Sequence, residues 1–209
     1  MNDFYIHTRM HYKSPISLIL LFVLVFSACK NENVPTLVRE GNILEPQLKF
    51  SYKSYRAGNR RFAIAYMDSV FNVLRTKTSG NDKFKVYQFM YDSYYGLSEP
   101  EMVGLYSDSM LMLFDNNIID KYHYKTEYIK ANFSKADWLY DIGKYQDAYK
   151  YYYTAKQQAQ KDGDSCLLGY YNHKLGLVFY SSSKYRSAIR NFEEALRLLD
   201  FKNSCYDIV

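Results

Sequence analysis

Helix breakers are scarce in this chain: 209 residues hold only four prolines and nine glycines. That permits long helices and excludes a collagen-like or Pro- and Gly-rich linker protein. Histidine is also scarce, and beyond residue 28 only His123 and His173 remain. A histidine-based metal centre or a Ser-His-Asp triad is therefore poorly supplied. The sequence contains no HExxH, no GxxxxGK[ST] and no GxSxG, which removes the metalloprotease, phosphate-loop and hydrolase-elbow readings. Asp162-Gly163-Asp164 lacks the other ligands of a calcium loop and reads as a turn. Glu193-Glu194 reads as a solvated helix surface. No enzyme activity, cofactor or metal is expected. Charge of one sign is lacking too: 27 basic residues face 22 acidic ones, a net of +5. The basic residues are scattered among acids, so nucleic-acid binding is not expected.

What is present suits a folded domain. Hydrophobic residues make up 48% and charged residues 23%, enough for one medium-sized core. Tyrosine is the outlier, at 24 residues. It has two readings: a sticky aromatic binding face, or AT-rich codon usage with tyrosine serving as a helix-packing aromatic.

The N-terminus carries Arg9 and Lys13 and then an apolar run from Ile16 to Phe26. That run is shorter than the ~20 residues of an ordinary membrane span and fits the core of a signal peptide. Translation starts at Met1 or Met10. Phe26-Ser27-Ala28-Cys29 resembles a bacterial lipobox, with Phe26 where Leu is commoner. The resemblance implies a signal peptide over 1–28 and lipidation at Cys29. It also implies an anchor in the bacterial cell envelope, with Lys30 favouring the outer membrane facing the periplasm. Each buried acyl CH2 adds ~0.8 kcal/mol of membrane affinity, so several chains hold a protein firmly. Residues 29–45 are polar and read as a tether.

From there on the chain repeats. Leu175, Gly176 and Phe179 share one predicted helix. Tyr185, Ala188, Phe192 and Ala195 share the next, with Ser181 to Ser183 as turn and cap. Positions 188, 192 and 195 form one helical stripe. Gly176 and Ala188 are small where two helices must approach closely. Forty residues upstream Ala136, Leu139, Tyr145, Ala148, Tyr152 and Ala155 repeat the pattern, with Gly143-Lys144 as the turn. Tyr66-Met67-Asp68-Ser69 and Tyr106-Ser107-Asp108-Ser109 are also forty apart and are expected to close second helices, with Ala63 and Val103 at the small position. Ser98-Glu99-Pro100-Glu101 reads as a capping box. Four helix pairs are predicted, over 46–76, 83–116, 122–161 and 165–199.

This pattern resembles the tetratricopeptide repeat, closely in the last two units and loosely in the first two. The resemblance implies an all-α, right-handed superhelical array of about four antiparallel pairs over 46–200, with 201–209 opening an incomplete further repeat. The period near forty, longer than the family's usual repeat, is similar to that of the periplasmic repeat regions of bacterial sensor regulators. The family's groove-lining positions fall on Lys130, Phe133, Asp137 and Tyr140 in the third unit. In the fourth they fall on Tyr170, His173, Leu177 and Tyr180. These residues either bind a protein or peptide segment in the concave groove or pack between repeats.

The expected function is a lipid-anchored protein-interaction scaffold. Alternatives are the truncated sensor half of a signal-transduction or transcription regulator and, lower, a glycan-binding lipoprotein, which would need more exposed tryptophan than Trp138 alone. The chain stops where a further first helix should begin, so self-association through an uncapped last repeat is expected. Cys166 and Cys205 occupy matching points of successive units. Stacked helices ~10 Å apart hold such residues beyond disulfide reach, so free buried thiols are expected.

Overall fold

A computed structural model describes residues 44–199 of the chain. Eight helices occupy the described residues: α1 (Leu44–Arg56), α2 (Arg60–Leu74), α3 (Gly80–Tyr95), α4 (Pro100–Asp115), α5 (Lys125–Asp141), α6 (Tyr145–Asp162), α7 (Ser165–Ser181) and α8 (Tyr185–Leu198). The leader, Cys29, most of the tether and residues 201–209 lie outside the described residues. The tether ends earlier than expected, because α1 already begins at Leu44. Pro46 falls in the first turn of α1, where no amide is needed for the helix ladder.

Local chemistry explains the boundaries. Ser79 caps α3, its hydroxyl accepting from the Asp82 amide at 3.1 Å and donating to the Asp82 carboxylate at 2.7 Å. Asp164 caps α7 by accepting from the Leu167 amide at 2.9 Å. Gly143 and Gly163 close α5 and α6 at φ 78° and 72°, a conformation glycine adopts without Cβ strain. The capping box expected from Ser98 does not form. Pro100 takes the first helical position of α4, so the cap falls on Glu99, and Ser98 instead ends the preceding turn at φ 57°. Ser183 likewise turns the chain at φ 59°, but the cap of α8 is Lys184, without a side-chain bond.

The helices pair as α1–α2, α3–α4, α5–α6 and α7–α8. One core joins α1, α2 and the near side of α3 through Leu48, Met67 and Phe89. The next joins the far side of α3, α4 and α5 through Phe84, Met110 and Ala131. Two more join α5, α6 and α7 around Ala136 and Tyr152 and around Ile129 and Tyr171. Each core therefore spans one pair and the first helix of the next, which is how stacked repeats bury a continuous interior. Small residues sit at the closest approaches. Ala63, Ala136 and Ala148 are fully buried, and a Cβ on Gly176 would lie 2.5 Å from the Phe192 ring.

Three local expectations are corrected. The repeat is uneven, since the first helices begin at Leu44, Gly80, Lys125 and Ser165; the longer connection between α4 and α5 takes up the difference. The Tyr66 and Tyr106 segments lie inside α2 and α4 rather than closing them. Cys166 is not a free thiol: it is disulfide-bonded and partly exposed. The other two cysteines, Cys29 and Cys205, lie outside the described residues. The spacing argument assumed a cysteine inside a helix-to-helix interface. Cys166 instead sits in the first turn of α7, one turn from Gly169, where Leu199 packs at the end of α8.

Candidate functional site

The first helices of the four pairs touch through a row of aromatic and polar side chains. The Tyr52 ring packs edge-on against Phe89 at 4.8 Å, and the Tyr55 hydroxyl donates to the Ser93 carbonyl at 3.0 Å, joining α1 to α3. The Tyr91 hydroxyl donates to the Ser134 carbonyl at 3.2 Å, and Tyr95 lies near the Asp141 charge, joining α3 to α5. The Lys174 ammonium donates to Asp137 at 2.9 Å, and the Tyr140 and Ser181 hydroxyls meet at 3.0 Å, joining α5 to α7.

Asp137 is the hub of this row. Its carboxylate accepts from the buried Tyr152 hydroxyl of α6 as well as from Lys174. Burial works against the Lys174 ammonium, but the adjacent Asp137 carboxylate more than offsets it, and its pKa lies above the usual lysine value. Burial and then the Asp137 charge push the Tyr152 phenol far up. Lys174 also lies over the Phe133 and Tyr170 rings, at 5.4 and 5.5 Å, a favourable cation–π arrangement.

Charge varies along the row. α1 contributes Lys49, Lys53 and Arg56 around Tyr52. Asp92 on α3 is reached by solvent, yet it is crowded by protein. That crowding raises its carboxyl to about 6, with Lys130 pulling the other way. Asp141 is also raised, by burial first and by the Asp137 charge second. The row thus runs from a basic end on α1 to an acidic centre on α3 and α5.

The eight positions expected in the groove divide. Phe133 packs between Tyr152, Tyr170 and Tyr171 at 5.4, 5.1 and 5.3 Å, so it and Tyr170 hold repeats together. Asp137 and Tyr140 are tied into the row described above. Lys130 and Tyr180 are exposed, and Leu177 is half-buried. His173 is exposed but leans on Phe192 of its own pair at 5.8 Å. Burial and then Lys174 lower its pKa. Sequence reasoning missed Lys174, Asp141, Tyr95 and Asp92. Asp137 and Asp141 stand four apart on one helix, and that spacing was the available signal for a shared face.

Trp138 is not a free platform. Its indole N–H donates to the Pro100 carbonyl at 2.7 Å, and Lys135 covers its ring at 4.1 Å. Among the described residues no three His, Cys, Asp or Glu side chains converge on a metal-sized site, and no helix is long and apolar enough to cross a membrane.

No curated protein matches the chain. Residues 128–200 match the model of the tetratricopeptide repeat family, whose repeats serve in general as protein-binding scaffolds. The matched span covers α5 to α8, so the part of this protein that carries the Asp137–Lys174 hub is similar to a tetratricopeptide repeat array.

Proposed function

We propose that the protein is a lipid-anchored scaffold of the bacterial cell envelope. Its four helix pairs wind into a right-handed superhelix, and the row of first helices forms the concave face that takes a protein segment. One observation carries this reading: contacts from Tyr55 to Ser93, Tyr91 to Ser134 and Lys174 to Asp137 set the first helices side by side, with Asp92 exposed on α3. Around it stand Lys130 and the half-exposed Tyr95. Aromatic anchors beside a few charges are what protein interfaces favour. The basic end on α1 beside the acidic centre suits a segment with an acidic end next to a cation. The chain also self-associates through its last pair. Cys29 holds it to the membrane.

The test is site-specific photocrosslinking in cells. A crosslinker at Lys130 or Tyr95 is expected to capture a protein, and Lys130→Glu with Tyr95→Ala to reduce capture without loss of helicity. Crosslinks formed only from the second-helix positions Leu105 and Met112, which are exposed, overturn the reading. For the anchor, intact mass of the wild type should show cleavage after Ala28 and acyl mass on Cys29. Cys29→Ser should release the chain from membranes or leave the leader uncleaved.

A further inference from the structure

The face of α8 beside its contact with α7 is apolar. Ala188 and Ala195 are buried against the pair, whereas Tyr185, Ile189 and Leu196 are each more than half exposed. Phe192 is half-buried, its ring resting on Gly176. Positions 185, 189, 192 and 196 are spaced by four, three and four residues, the spacing of a coiled-coil seam. This seam is symmetric about the point between Arg190 and Asn191. Run a second α8 antiparallel across it, and Tyr185 meets the other copy's Leu196 while Ile189 meets Phe192. Each contact occurs twice, as a two-fold interface requires.

The charges beside the seam agree with that arrangement. Glu194 is held by Arg197 in its own helix at 2.6 Å. Arg186 and Glu193 are both exposed, and neither forms an ion pair among the described residues. They occupy equivalent flanking positions one heptad apart, and flanking charges set partner and orientation in helix pairing. In the antiparallel arrangement Arg186 of one copy lies opposite Glu193 of the other, on both sides of the axis. A parallel pairing would instead set this flank against the other, where Ala188 and Ala195 lie, and leave both charges without a partner.

We propose that a second copy of this chain docks antiparallel on α8 through this seam. The proposal rests on the self-association reading above and specifies its surface and direction. Four seam residues a side bury roughly 800 Å² in total, below the ~1,200 Å² at which stable interfaces begin. The dimer is therefore a weak, transient one.

Sedimentation equilibrium of the full chain over a hundredfold concentration range tests this. A reversible monomer–dimer equilibrium is expected. Ile189→Glu should weaken it more than tenfold with helicity unchanged. Arg186→Glu and Glu193→Arg should each weaken it several-fold, and the two together should restore it to within about twofold. A monomer at every concentration overturns the proposal. A dimer indifferent to Ile189→Glu overturns it in favour of another surface. Loss with Ile189→Glu but no rescue by the double charge reversal overturns the antiparallel register. Capture from Lys130 reports on the first-helix face, so failure of that reading is seen separately.

Discussion

Removing the Asp137 carboxylate tests the hub that ties three helices together. Tyr152 has no exposed surface, so in Asp137→Ala its hydroxyl has no route to water. An unpartnered buried hydroxyl costs about 1–3 kcal/mol. The Lys174 side chain keeps 21% of its surface exposed. It can turn to solvent and loses only about 0.5–1 kcal/mol. Asp137→Ala should therefore cost about 2–4 kcal/mol, a fall in melting temperature of about 5–15 °C for a domain of this size. Tyr152→Phe removes the hydroxyl but leaves Asp137 its Lys174 partner, so it should cost less, about 1–2 kcal/mol. In the double variant no buried hydroxyl is stranded. Its cost should fall short of the sum of the two by about 1–2 kcal/mol. Urea unfolding followed by circular dichroism measures all three. Costs that add to within about 0.5 kcal/mol, or an Asp137→Ala variant as stable as the wild type, would refute the hub.

Gly104→Ala places a Cβ 2.5 Å from Trp138, whose ring is fixed by the Pro100 carbonyl and Lys135, so overpacking should cost about 1–3 kcal/mol; unchanged melting would show that the α4–α5 contact is loose. Ala188→Leu should cost about as much, because Ala188 is buried where α8 crosses α7; a neutral result in thermal melts would argue against the register of the last pair. Burial raises Asp92 to about 6 from its ordinary 3.8, so the folded state keeps this proton to higher pH than the unfolded chain. Its ionisation lowers stability by an amount that is absent below the ordinary value and complete above about 6. Asp92→Asn cannot ionise, so its melting temperature should gain on the wild type as pH rises from about 4 to 7; a constant difference across that window would remove the crowding argument.

The repeat pattern alone determined much of the architecture. Gly176, Phe179, Ala188, Phe192 and Ala195 recur upstream as Ala136, Leu139, Ala148, Tyr152 and Ala155, and small residues at fixed offsets mean close helix crossings wherever the helices lie in space. The predicted pairs 122–161 and 165–199 therefore fall within a few residues of α5–α6 and α7–α8. In the first two units the pattern is diluted, and the Tyr66 and Tyr106 segments were placed at helix ends although they lie inside. The sequence could not say which groove positions are free. Phe133 and Tyr170 have the residue types of binding anchors, but their neighbours from α6 and α7 enclose them, and those neighbours are near only because of the fold. Asp137 and Lys174 stand on different helices, and no local rule links them. Nor does one helix reveal whether its second apolar stripe has a partner: Ile189 and Ala188 are adjacent in sequence, and only the position of α7 decides that Ala188 is covered and Ile189 is not. Periodicity is a property of the chain. Pairing between distant side chains depends on how the helices stack, so only the tertiary structure could decide it.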